Sequence, residues 1–304
     1  MSNPLSVTYC GLPFKNPVVA ASGTFGYGVE FAPSFDLSLV GGISVKGLSL
    51  APVEGNPMPR IRETASGLLN AIGLQNIGVK AFLNEKLPAL KRYDTNIIVN
   101  FWGKSVAEYT EVAAILDDAD IDMLEMNISC PNVKEGGISF SASPEKAGEV
   151  VEAVRRVVRS KPLIVKLSPN VTNIATYACA VKEAGADGIS AINTLMGMAI
   201  NIKTRKPWLA NVTGGLSGPA IKPVALRMVH EIHKNISLPI MGIGGIMTYE
   251  DVVEFFLAGA SLCQVGTANL VNHTAIPGIV KELEAYCAEN SISSISELTG
   301  ALIL

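Results

Sequence analysis

Eight short apolar runs, separated for the most part by helical patterns along 304 residues, predict an α/β fold: a closed (β/α)8 TIM barrel with long insertions after strands 2 and 6. The runs are near-continuous rather than alternating, which suits parallel strands covered on both faces. They are Pro17–Ser22, Gly42–Gly47, Asn96–Phe101, Met123–Ser129, Leu163–Ser168, Gly188–Asn193, Pro239–Gly244 and Leu262–Gly266. Between most of them lie helix signatures, at Ser105–Leu116, Pro144–Arg159, Asn170–Ala184, Lys222–Lys234, Thr248–Leu257 and Ile276–Glu289. Ser143 and Pro144 form a cap and a first-turn proline, and Gly185 is a stop. Strand and helix in regular succession imply right-handed crossovers, and eight such units favour closure over an open sheet.

Two connections are too long to be turns: Leu48 to about Thr95, and Thr194 to Ile221. Both follow the C-terminal ends of strands, where barrels of this kind build their sites. With no linker and no low-complexity segment, residues 1–304 are expected to form one domain.

Composition narrows the class. Apolar residues make up 48% of the chain, enough for a large core, and the net charge is −3 with no basic run, so nucleic acid is not an expected partner. No apolar run approaches the roughly 18 residues of a membrane span, and the N-terminus lacks a secretion signal, so a cytoplasmic location is expected. The five cysteines, Cys10, Cys130, Cys179, Cys263 and Cys287, are odd in number and widely spaced, matching no metal pattern.

The strand ends carry the chemistry. Ser22, Lys46, Asn100, Asn127, Lys166, Ser168, Asn193 and Thr194 would meet at one mouth, a set suited to a planar anion rich in carbonyl and N–H groups. Gly244-Gly245 follows the seventh strand and Gly266-Thr267 the eighth. Glycines there serve tight turns or phosphate oxygens, and two such turns at these two places point to a phosphate-bearing cofactor. Cys130 lies just past the fourth strand, before Pro131. Its position suits packing as well as catalysis, but no histidine or carboxylate pair competes for the mouth. His230 and His233 share a helix without a third ligand and read as structural.

The residues then carry a resemblance. NPVVAASGTFG at Asn16–Gly26, GNPMPRIRET at Gly55–Thr64, GLLNAIGLQN at Gly67–Asn76, MNISCPNVKEGG at Met126–Gly137, VKLSPNV at Val165–Val171, ANVTGGLSGPAIKP at Ala210–Pro223 and GIGGI at Gly242–Ile246 resemble the dihydroorotate dehydrogenases over nearly the whole chain. The NISCPN segment alone also resembles dihydropyrimidine dehydrogenases.

The resemblance implies FMN as cofactor, dihydroorotate as substrate and orotate as product, in pyrimidine biosynthesis. It implies FMN contacts at Ser22, Lys46, Gly47, Asn100, Asn127, Lys166, Ile192, Gly218, Gly244, Gly245, Gly266 and Thr267. It implies orotate contacts at Lys46, at Asn70, Ala71, Ile72, Gly73 and Leu74, and at Asn127, Asn193 and Thr194. Cys130 would be the catalytic base, with Lys46 and Lys166 stabilising negative charge. A cysteine base marks the soluble class. NVKEGG, GNPMPRI and the segment from Ile202 to Arg227 resemble its NAD-linked branch, whose homodimer core joins a subunit carrying FAD and a 2Fe–2S cluster in a heterotetramer. The alternatives are the fumarate-linked homodimeric branch and a related FMN dihydropyrimidine dehydrogenase.

Overall fold

The computed structural model describes residues 3–128 and 142–304. Its centre is a closed barrel of eight parallel strands: β1 (Val18–Ala20), β2 (Gly42–Leu48), β3 (Asn96–Phe101), β4 (Met123–Asn127), β5 (Leu163–Leu167), β6 (Gly188–Ala191), β7 (Ile240–Ile243) and β8 (Leu262–Val265). Each strand pairs with its sequence neighbour, and β8 closes on β1 through Cys263 opposite Val18. All eight fall on the predicted runs: Asn96–Phe101 is unchanged, the second strand runs one residue further to Leu48, and the other six are shorter by one to three residues. The strands are buried almost throughout, which is why they read as apolar runs.

Helices Val106–Asp117, Pro144–Val157, Ile174–Glu183, Lys222–Asn235, Tyr249–Leu257 and Ala275–Glu289 wrap the barrel. The Ser143 hydroxyl caps the second of these by accepting from the Lys146 N–H. Gly185 and Gly259 end the third and fifth with φ of +95° and +116°, a left-handed backbone that glycine adopts without strain. The third helix starts later than the sequence suggests. Asn173 is its cap, accepting from the Ala175 N–H, so 170–172 belong to the preceding loop. Between β1 and β2 the described chain makes only 3-10 turns, Val29–Phe31 and Leu37–Leu39.

A hairpin of Val7–Tyr9 and Leu12–Phe14 covers the N-terminal end of the barrel. The buried Tyr9 hydroxyl donates to the Ile189 carbonyl at 3.0 Å. This leaves the opposite end for a site.

At that end the two long connections make one sheet. Strands Ile61–Thr64, Gly67–Asn70, Thr213–Ser217 and Leu195–Met198 pair antiparallel, with Asn70 opposite Gly215. The crossing is close. A Cβ on Gly67 would lie 2.0 Å from the Ser217 carbonyl oxygen, which is backbone and has no rotamer to escape into. Overpacking costs about 1–3 kcal/mol. Gly67→Ala should therefore destabilise the fold by an amount at the upper end of that range, read as a lower denaturant midpoint, and an unshifted midpoint would show that the two insertions are not packed this way.

Candidate active site

Lys46 projects from β2 within a register shift between Val45 and Leu48. The chain's Gly23, at the end of the β1 turn, leaves room beside its Nζ. Burial pushes the Lys46 ammonium down to about 8, and the charges of Lys166 and Arg60 push the same way. Those influences place Lys46, Lys166 and Arg60 in one electrostatic neighbourhood, although they come from β2, β5 and the first insertion.

The asparagines complete it. Asn127 on β4 stands opposite Lys166 on β5, and its Oδ1 accepts from the Asn193 Nδ2 at 3.4 Å. Asn193 Oδ1 accepts from the Thr194 N–H at 2.8 Å, so the amide is oriented from both ends. Asn100 on β3 is buried. Its Nδ2 donates at 2.7 Å to Glu125, while its Oδ1 faces Gly47, where a Cβ would come within 2.7 Å. Ser22 and Ile192 flank the strand ends, with the Ile192 N–H donating to the Ile243 carbonyl.

The expected substrate stretch, Asn70, Ala71, Ile72, Gly73 and Leu74, runs back from the inserted sheet toward the barrel. Asn70 Nδ2 reaches the Gly215 carbonyl at 3.4 Å, and Thr194 packs so closely on Gly215 that a Cβ there would sit 2.1 Å from its Oγ1. Gly73 and Leu74 both have positive φ, +76° and +60°, and for leucine that conformation is uncommon. Asn76 holds the bend, accepting from the Ser49 and Gly78 N–H groups and donating to the Leu74 carbonyl.

Three glycine turns meet on the other side of the mouth. Gly218 (φ +94°), Gly244 (φ +135°) and Gly245 (φ +77°) all have backbones that favour glycine. A Cβ on Gly245 would lie 2.9 Å from the Gly218 carbonyl, and one on Gly218 would lie 3.4 Å from Thr267. Thr267 Oγ1 donates to Ser217 Oγ at 2.8 Å. Gly266 is open, its nearest neighbour to an added Cβ being 3.7 Å away. Lys222 ties this corner together, bonded at 2.6 Å to Asp251, whose other oxygen accepts from the Met247 and Thr248 N–H groups.

The two turns expected to cradle a phosphate are therefore neighbours, joined by Gly218. Cys130, with residues 129–141, lies outside the described residues. Three of the other cysteines are poor candidates for chemistry. Burial pushes the Cys10 thiol up to about 12, and it raises those of Cys263 and Cys287 as well. His233 packs against Gly259 and Gly300, and His273 against Phe31. Among the described residues no group of three metal-ligating side chains gathers, and no helix is long and apolar enough to cross a membrane.

Arg60, Glu125 and Gln264 were not among the residues singled out from sequence. Glu125 had a visible signal: it is the one carboxylate in the apolar run Met123–Ser129, two residues before Asn127 and so on the same face of the strand.

The family model described as dihydroorotate dehydrogenase matches residues 4–286. A protein of Geobacter sp. (strain M21) is 56% identical over 301 residues, covering 99% of this chain and 98% of its own. One of Geotalea daltonii is 56% identical over 304 residues, covering 99% of each. One of Alkaliphilus metalliredigens is 52% identical over 298 residues, covering 98% of each. All three are named dihydroorotate dehydrogenase B (NAD(+)), catalytic subunit. With the match running from ahead of the N-terminal hairpin into the last long helix, the chain belongs to the dihydroorotate dehydrogenase family.

Proposed function

We propose that this chain oxidises dihydroorotate to orotate in pyrimidine biosynthesis, using FMN and passing electrons to NAD through a partner subunit. The observation that carries the reading is the mouth itself: two electrostatically coupled lysines and three asparagines face a glycine-lined corner. The residues fit FMN. Gly218, Gly244, Gly245, Gly266 and Thr267 would hold its phosphate, where bare backbone permits close approach. Ser22, Lys46, Gly47, Asn100, Asn127, Lys166 and Ile192 would hold its ring and ribityl chain. Bound there, FMN supplies the acceptor for the hydride that leaves C6 of the substrate.

The chain's own residues do the rest. Cys130, as thiolate, takes the C5 proton. Lys46 and Lys166 stabilise negative charge at the mouth, on fixed strands that need no reorganisation. Asn127 and Asn193 offer both donors and acceptors to the amide edges and carboxylate of orotate, with Thr194 and Asn70–Leu74 closing the other side. The relatives' shared name supports the NAD-linked branch, and its words "catalytic subunit" support a partner. We assign that partner the FAD and the 2Fe–2S cluster, joined to a homodimer of this chain in a cytoplasmic heterotetramer.

The test is an anaerobic titration of the purified chain. Dihydroorotate should bleach the visible flavin band, and dihydrouracil should leave it intact. NAD should restore the band only with the partner subunit present. Restoration by fumarate alone would move the chain to the other branch, and a colourless chain that takes up no FMN would end the flavin reading.

A further inference from the structure

The barrel's middle layer is polar. Barrels of this kind are ordinarily filled with Val, Ile and Leu. Here Glu125, fully buried on β4, accepts from Ser44 Oγ on β2 and Asn100 Nδ2 on β3 through one carboxylate oxygen, each at 2.7 Å. Its other oxygen accepts from Gln264 Nε2 on β8, also at 2.7 Å. Burial would raise this carboxyl's pKa. The charge of Lys166 and the bonds from Ser44 and Asn100 outweigh burial and leave it lowered, so the group is a carboxylate.

A buried charge of this kind is a poor stability device, because well-packed apolar residues of equal volume usually do as well or better. The network does something an apolar layer would not. It fixes the amide of Asn100, one of the residues at the flavin side of the mouth, and its charge acts on Lys166, another. It also supplies a negative charge that balances Lys166, in a mouth where Lys46 and Arg60 have no such buried counter-charge among the described residues.

We propose that Glu125 is a positioning residue for the flavin: its carboxylate orients Asn100 and neutralises Lys166 from beneath, so that it sets both the grip on FMN and the reduction potential. This rests on the flavin reading above. The sign follows from charge. Reduction makes the flavin more negative, so removing a buried anion below it favours the reduced form.

The experiment compares the FMN-loaded wild type with Glu125→Gln, which keeps the shape and loses the charge. The midpoint potential of the variant should be more positive, and its FMN dissociation constant about tenfold higher, as expected for a lost charged hydrogen-bond acceptor. An unshifted potential in folded Glu125→Gln overturns the proposal, whatever its thermal midpoint, since filling space is then all Glu125 does. If that variant does not fold, Ser44→Ala decides. It should raise the FMN dissociation constant about threefold or more by loosening the carboxylate, and an unchanged constant overturns the proposal. Failure of the wild type to bind FMN would instead overturn the flavin reading, so the two failures look different at the bench.

Discussion

Replacing Cys130 with alanine is expected to slow reduction of the bound flavin by dihydroorotate about 10²–10⁴-fold, the worth of a positioned base, with bound flavin and thermal midpoint retained. The size of the loss follows from what else is near. Glu125 is the carboxylate closest in sequence to the mouth, and all its described partners hold it as an acceptor inside the barrel. Lys46, whose ammonium burial pushes down to about 8, acts as a cation below that pH. His233 lies in structural contacts with Gly259 and Gly300, His273 packs on Phe31, and His230 sits on the helix Lys222–Asn235. No second base among the described residues is placed to take over the proton. Stopped-flow reduction without oxygen separates this step from reoxidation by the partner, and a wild-type rate in Cys130→Ala would remove the thiol from the mechanism. Cys130→Ser gives a graded control: a hydroxyl is a weaker acid, so its rate should fall between the two and respond to pH at higher values.

The strand that precedes Cys130 was legible in the sequence, as were the other seven, because burial on both faces leaves an apolar run whatever the neighbours are. Asn96–Phe101 is a clear case. The strand-end polars were legible for the same reason: Lys46 and Lys166 interrupt runs that need no lysine.

The inserted sheet was not. Its strands are four or five residues long, half exposed and rich in glycine, and Asn70 pairs with a residue 145 positions away. Nothing local encodes that register; it is set by close approach at Gly67 and Gly215. Glu125 escaped notice for a related reason. Its hydrogen-bond partners come from β2, β3 and β8, so the network exists only once the barrel has closed. The join at Gly218 between the two glycine turns is likewise a product of closure.

The second large effect is expected from Lys46, in the pH dependence of orotate binding. Its ammonium titrates near 8 in the open site because burial and two neighbouring cations disfavour the charge. An incoming carboxylate reverses part of that, so the pKa rises on binding. Below pH 8 the lysine is already protonated, and affinity should be high and flat. Above pH 8 binding must take up a proton, so affinity should fall about tenfold per pH unit until the pKa of the complex is reached, or about a hundredfold between pH 8 and pH 10.

The same shift has the opposite sign for folding. The unfolded chain, with an ordinary lysine near 10.5, binds more protons than the native one between pH 8 and that value. Lys46 therefore adds to stability as pH rises through this window, and below pH 8 the native state carries the full cost of a buried cation. Lys46→Met should flatten the affinity profile, weaken binding at pH 7 and raise the melting temperature of the ligand-free protein there. Calorimetry in two buffers of different ionisation enthalpy reads the proton directly. Uptake should be near zero at pH 7 and approach one proton per orotate at pH 9, and equal uptake at both values would place the titrating charge elsewhere than on Lys46.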